Sequence, residues 1–304
     1  MSDLHPKLLK TSKAINENRR GIVITAFCTM FIVITAISLI VFIAIKGLAI
    51  FIDNRASLLK FLISDVWQPG NTSNGRPLIG ALAMIVGSFG VTLLALMLAI
   101  PFSLALSLFV TQYAKKRVKD ILQIVLDLFT GIPSVVYGFL GLILIVPVVR
   151  KIYGGTGFGL LSGAVVLAVM ILPTITSIMI NAINGVPISM IQASLALGAT
   201  RWQTIYKIIL RFCLPGLLIG VIFGMARALG EAMAVQMVIG NTVLLPKGLA
   251  TPTTTLTSQL TVQMGNTIFG TVQNNALWTL ALFLLLISLV FNVLIRTLAK
   301  KGNY

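Results

Sequence analysis

Six stretches of this chain, 22–46, 79–100, 121–148, 158–180, 214–239 and 275–296, run for more than twenty residues with almost no charge. The hydrocarbon core of a bilayer, about 30 Å thick, takes about 20 apolar residues in helical form to cross. A membrane offers the backbone no water, so an unbroken apolar run satisfies its own amides only as a helix. Barrel strands read instead as roughly ten-residue segments that alternate apolar and polar, and these runs do not alternate. Only 10% of the residues are charged, against about 25% in soluble proteins. That is too few to coat a water-facing surface. The sequence predicts an all-α, polytopic membrane protein with six transmembrane helices. The first run is not read as a cleavable leader, because it stays apolar to about Ala44 and no small-residue cleavage site follows.

The connections differ in charge. A polar, basic tail (1–20) carries Lys7, Lys10, Lys13, Arg19 and Arg20. Lys115, Lys116, Arg117 and Lys119 follow the second run. Arg201, Lys207 and Arg211 precede the fifth, and Arg296, Lys300 and Lys301 follow the sixth. The other connections hold Lys46, Arg55, Lys60, Arg76, Arg150, Lys151 and Lys247, spread over longer segments. Basic residues concentrate on the cytoplasmic side, so the pattern predicts both termini in the cytoplasm. It also explains a net charge of +16 without a nucleic-acid partner. The external segments are 47–77, with an interfacial helix expected over 56–67 and Trp67 at headgroup depth, then 150–157, then the Thr- and Asn-rich 240–274, partly helical or re-entrant. The membrane domain is taken as 21–299.

Two charges stand inside the fifth run. Arg227 and Glu231 are four apart, which on one helix places them on one face. Ionised groups in hydrocarbon cost roughly 2.5–3.5 kcal/mol even on the lower scales. One reading is a neutralising pair that fixes packing. The other is a pathway-lining face on which Arg227 meets an anion, its planar fork of donors matching an oxyanion, with Glu231 setting the charge balance. Gly220, Gly224 and Gly230 are expected to let a neighbour approach closely. Asp127, about one turn inside the third run, either pairs with the 115–119 cluster, caps a turn or lines the path. The run Gly131–Gly138, GIPSVVYG, predicts a kinked, closely packed helix, with Ser134 and Tyr137 as candidate pathway hydroxyls.

No phosphate-binding GxxxxGK[ST] loop and no HExxH, CxxC or GxSxG motif occurs. Cys28 and Cys213 lie in or beside apolar helix and read as packing residues, and His5 is the single histidine. The chain has no metal-ligand cluster, no cofactor motif and no ATPase site of its own. The segment 181–211, a loop and two short helical pieces joined at Gly198, is basic and carries no acid. It is shaped to be gripped by a cytosolic partner.

The stretch Gln192–Gly216, QASLALGATRWQTIYKIILRFCLPG, resembles the coupling motif of ABC importer permeases. Ala193, Leu197, Gly198 and Ala199 match the pattern, and Thr200, Arg201 and Trp202 resemble a subfamily version. Gln192 stands where the family usually has Glu, and Arg211 where it often has Pro. Ile132–Pro147 and Ala226–Asn241 look like the permeases of the phosphate-specific Pst system, with Ala232 replacing the usual Thr. The long 47–77 segment resembles the PstC type rather than the PstA type. The resemblance implies the type I importer permease fold in a bacterial cell membrane. It also implies a homologous PstA-like second permease, a homodimeric ATP-binding subunit that holds ATP and Mg2+, and an extracytoplasmic phosphate-binding protein. The cargo would be inorganic phosphate. Residues around 187–197 would be the coupling helix, and Arg227 and Glu231 would be the intramembrane charges of the pathway. Molybdate or sulfate transport, a phosphate-sensing role and an ATPase-independent carrier stand as alternatives.

Overall fold

The computed structural model describes residues 13–73 and 76–301. Residues 1–12 of the tail, with His5, Lys7 and Lys10, lie outside them. The elements are α1 (Lys13–Ile52), α2 (Leu58–Ile63), β1 (Trp67–Ser73), β2 (Arg76–Ile79), α3 (Leu82–Leu108), α4 (Lys116–Gly131), α5 (Ser134–Leu140), α6 (Val146–Tyr153), α7 (Leu160–Asn184), α8 (Ile188–Ala196), α9 (Arg201–Thr204), α10 (Leu210–Gly230), α11 (Met233–Gln236), α12 (Leu256–Gln263) and α13 (Val272–Lys301). Single π-helical turns at Phe109–Tyr113, Gly141–Ile145 and Ile205–Ile209 extend α3, join α5 to α6 and join α9 to α10. Six of these helical stretches are long and apolar enough to cross a membrane: Glu17–Ile52, Leu82–Tyr113, Ser134–Tyr153, Leu160–Asn184, Arg201–Gly230 and Val272–Thr297.

The number of crossings is the expected one, but their limits are not. The third apolar run is divided. Pro133 has no amide to donate and disfavours helical backbone in the residue before it. Ile132 is accordingly extended, at φ −69°, ψ 128°, and 121–148 becomes a separate α4 and a crossing that starts at Ser134. The fifth crossing starts at Arg201 and stops at Gly230, not at 239. The expected interfacial helix shrinks to Leu58–Ile63. Trp67 instead heads a hairpin, opposite Ile79, with an irregularity between Gln68 and Thr72 where Pro69 and Gly70 cannot continue a regular ladder.

The fourth crossing, α7, is the centre of the bundle. In its most apolar window 67% of residues are buried, against 0% for α1. α10 runs antiparallel to it and approaches through Gly216, Gly220 and Gly224. A Cβ on Gly216 would lie 2.5 Å from Ala182 Cβ, and one on Gly224 would lie 2.5 Å from Ile175 Cγ1. Gly220 faces Ile178 at ordinary contact distance. Small residues every fourth position let two helices touch along their backbones where lipid supplies no hydrophobic drive. Gly230, expected to share this role, faces open space: a Cβ there would have no neighbour within 4 Å. On the other flank of α7, Ser103 Oγ of α3 donates to the Leu172 carbonyl at 3.2 Å. The first and last crossings lie together at the margin, where Thr279 Oγ1 donates to Gly47 O at 2.8 Å and Phe42 meets Trp278 edge to face. The segment 240–263 folds back against α3 and α13, with Thr253, Thr254, Leu256 and Ser258 fully buried.

Gly224→Val should therefore force α7 and α10 apart and lower stability by about 1–3 kcal/mol, the usual cost of overpacking, while Gly230→Ala should be tolerated. Melting midpoints of the two variants in detergent, beside the parent chain, check this.

Candidate functional site

Antiparallel packing fixes depth. Gly216, Gly220 and Gly224 meet Ala182, Ile178 and Ile175, so α10 rises past α7 in steady register. Gly141 packs on Val166, and Leu126 of α4 clusters with Ile180. At about 1.5 Å of rise per residue, the break at Ile132–Pro133 falls level with Pro173 and Thr174, near the middle of α7. Arg227 falls at the same level, where its Nη1 donates to Thr174 Oγ1. Three features thus converge at mid-depth: a broken third crossing, a proline followed by a hydroxyl in the fourth, and a guanidinium in the fifth.

Arg227 is half-buried and forms no ion pair among the described residues. A guanidinium carries five N–H donors, and the one hydroxyl it meets leaves most of them unused. The helix that begins at Ser134 presents its first amides at this level, the positive end of its dipole. Ser134 itself is half-buried in the first turn. Tyr137 is 6% exposed. Its hydroxyl donates to the Phe129 carbonyl at 2.6 Å, clasping α4 to α5 across the break, and it lies within the electrostatic reach of Arg227.

Two expectations fail here. Glu231 does not share a helix face with Arg227, because α10 ends at Gly230 and Glu231 is extended, at φ −76°, ψ 124°. Its Oε1 accepts from Ala234 N at 3.3 Å, at the start of α11, and its carbonyl accepts from Thr257 Oγ1 at 2.8 Å. Glu231 thus anchors the returning segment, beside a void of about 10 Å³ bordered by Ser88, Thr92, Thr255 and Thr257, room for about one water. Asp127 is not inside the third crossing. It sits exposed on α4, where Gln123 Nε2 donates to its Oδ1 at 3.0 Å, and among the described residues it makes no ion pair with the 115–119 cluster. Sequence reasoning alone does not find Thr174. The signal available is a hydroxyl directly after the mid-span Pro173.

The second surface is α8. None of its residues is buried. Gln192 and Ala193 are exposed, and Leu197 is 89% exposed. Gly198 takes φ +82°, the left-handed conformation that ends a helix and that side chains with a Cβ resist. Ala199 follows, and Thr200 then starts α9 with a reciprocal cap. Thr200 Oγ1 accepts from Gln203 N at 3.3 Å, and Gln203 Oε1 accepts from Thr200 N at 2.9 Å. Arg201 is the first residue of α9 and is exposed. A cavity of about 220 Å³ lies behind α8, between Ile191, Leu195, Arg201 and the π-helical turns at Tyr113 and Ile205. The hydroxyls of Ser194 and Thr204, 3.0 Å apart, hold α8 to α9.

Tyr137→Phe should remove the clasp across the break at a cost of about 0.5–1.5 kcal/mol. Faster amide exchange at 129–137, with unchanged exchange along α7, is the expected readout.

A family model described as "Binding-protein-dependent transport system inner membrane component" matches residues 99–302. The chain is 44% identical over 293 residues to a probable ABC transporter permease protein YqgH of Bacillus subtilis, covering 96% of this chain and 94% of that one. It is 31% identical to the phosphate transport system permease protein PstC of Pasteurella multocida, over 80% of each chain. Among solved structures, a bacterial alginate ABC transporter in complex with an alginate pentasaccharide-bound periplasmic protein aligns with TM-score 0.61 over 95% of this chain and 98% of that one. At 14% identity, it supports the fold alone.

Proposed function

Because this chain belongs to the binding-protein-dependent transport system inner membrane component family, as a permease subunit of an ABC importer, we propose that it carries inorganic phosphate, as the PstC-type half of a two-permease pathway. The observation that carries the reading is Arg227 at mid-depth, held by a neutral hydroxyl and level with the start of the Ser134 helix. An anion that sheds its water in a bilayer needs fixed donors at the depth where hydration is lost. Arg227, Ser134 and the first amides of α5 supply them, and Thr174 aims the guanidinium. Relatives that bear the name PstC support phosphate as the cargo.

In this reading the basic ends of the crossings, with α8, face the cytoplasm. α8 seats in a groove of a homodimeric ATP-binding subunit, which holds ATP and Mg2+, and Gln192, Ala193 and Leu197 form the contact. Gly198, Ala199 and Arg201 keep α8 at a fixed angle to the fifth crossing. A homologous PstA-like permease closes the path opposite α5, α7 and α10. An extracytoplasmic phosphate-binding protein delivers the anion at the hairpin and the 240–271 segment. Alternation between outward- and inward-open states then moves it past Arg227. Glu231 acts through the returning segment that it anchors.

Phosphate uptake into vesicles that contain the four-component complex tests the reading. Uptake should require ATP, resist competition by sulfate and molybdate, and fall at least about a hundredfold in Arg227→Ala, on the order of the 2–3 kcal/mol of a charge-assisted contact. Uptake displaced equally by sulfate would move the cargo to another oxyanion, and uptake unchanged in Arg227→Ala would reduce the residue to packing. A separate variant, Leu197→Glu, places a charge on the coupling surface. It should abolish co-purification of the ATP-binding subunit while the melting midpoint of the permease stays within a few degrees.

A further inference from the structure

Phe129 has a carbonyl that its own helix cannot satisfy. In a regular helix its partner is the amide of residue 133, and Pro133 has none. The Tyr137 hydroxyl takes that place, donating at 2.6 Å from the far side of the break. Little else holds α4. Leu126 is its one buried residue, set against Val110 and Ile180 with Leu122 beside it. The side-chain hydrogen bonds of Gln123 and Thr130 both return to Asp127, within α4. Among the described residues, the Tyr137 bond is the side-chain hydrogen bond that ties α4 to another helix. The ring of Tyr137 belongs to the main core, and its hydroxyl lies within electrostatic reach of Arg227. A phenol has one hydrogen to donate, and here the Phe129 carbonyl holds it. An oxyanion is the better acceptor, because charge-assisted hydrogen bonds are roughly twice as strong as neutral ones.

We infer that Tyr137 is a substrate-operated latch: an oxyanion held at Arg227 draws the Tyr137 hydroxyl away from the Phe129 carbonyl, and α4 is then free to hinge at Ile132. The inference rests on the transport reading above, because that reading puts the anion at Arg227. The latch has two states because the hydroxyl has one hydrogen to give. Without an anion the Phe129 carbonyl is the acceptor at hand, and α4 stays clasped to α5. With an anion the carbonyl loses its partner. A buried carbonyl left unpaired is costly, and it meets water once α4 swings away from α5. Release of the latch and wetting of the break therefore go together. α4, with its single buried residue, is the element that such a small change can free. The joint at Ile132 is already extended, so the hinge has no helical turn to unwind.

The experiment is hydrogen exchange over 129–137 in the assembled transporter in nanodiscs, in each nucleotide state, with and without inorganic phosphate. Exchange there follows local opening of the joint. In the parent chain phosphate should speed it by about three- to tenfold in at least one nucleotide state, the factor that one neutral hydrogen bond carries. Tyr137→Phe should exchange at the fast rate whether or not phosphate is present. Pro133→Ala gives the Phe129 carbonyl an amide from its own helix, so it should exchange slowly under both conditions. A clasp that merely holds the fold would leave exchange in the parent chain indifferent to phosphate, sulfate and molybdate alike. That result would overturn the latch, as would a phosphate response that survives in Tyr137→Phe. Phosphate binding is read separately, as slowed labelling of a Ser134→Cys thiol by an impermeant anionic reagent, with Cys28 and Cys213 replaced by serine. Slowed labelling with unchanged exchange would end the latch and leave the phosphate reading intact. Exchange that responds to sulfate or molybdate and not to phosphate would sink the phosphate reading and leave the latch standing.

Discussion

The backbone contact between α7 and α10 is the constraint on which the rest depends. Gly216 and Gly224 leave no space for a side chain against Ala182 and Ile175. The two helices can slide only by whole steps of the small-residue row, so their register is fixed. That register places Arg227 opposite Thr174 and within electrostatic reach of Tyr137. A slip of one turn, about 5.4 Å, would carry the guanidinium past Thr174. In lipid, where hydrophobic burial between helices drives nothing, close contact of this kind is the available way to hold a charge at a chosen depth.

Around that depth the chain departs from regular helix. The third crossing breaks at Ile132–Pro133, α10 stops at Gly230, and α11 restarts beside Glu231. Broken backbone at membrane depth is tolerated where it is covered by protein or lines a water-filled cavity. The breaks here are partly sewn up: Tyr137 bonds the Phe129 carbonyl, and Thr257 bonds the Glu231 carbonyl. In the proposed reading, the amides that start α5 are the backbone groups that meet the anion. At the end of the bundle that carries α8, Gly198, the Thr200–Gln203 cap and two facing π-helical turns hold α8 clear of the bundle and joined to the fifth crossing. A push on α8 therefore acts on the same helix that carries Arg227.

Much of the fold was legible in the sequence, because a bilayer imposes one requirement on every crossing, and six runs met it. The helix ends were less legible, since hydropathy does not register backbone conformation. Glu231 lies in an apolar run, and spacing alone paired it with Arg227. The short Gly230–Glu231 departure from helix, which sends its carboxylate to Ala234 N instead, depends on the returning segment 240–263 that packs there. The kink near Pro133 was visible, but its effect was not: it turns Asp127 from a buried acid into an exposed one on α4. Thr174 needed the antiparallel register, which pairs residues 53 positions apart. The helix Ile188–Ala196 and its end at Gly198 were the most legible part, because they are local features that require no knowledge of packing.

The central claim is that the level marked by Ser134, Thr174 and Arg227 lies on an aqueous path that an oxyanion shares. Cysteine accessibility tests it most directly. Cys28 and Cys213 would be replaced by serine and Ser134→Cys introduced, and the assembled transporter would then be treated with a membrane-impermeant anionic thiol reagent. The account predicts labelling that depends on nucleotide state and is slowed by phosphate but not by sulfate. An introduced thiol that stays unlabelled in every nucleotide state, in a complex that still transports, would contradict it.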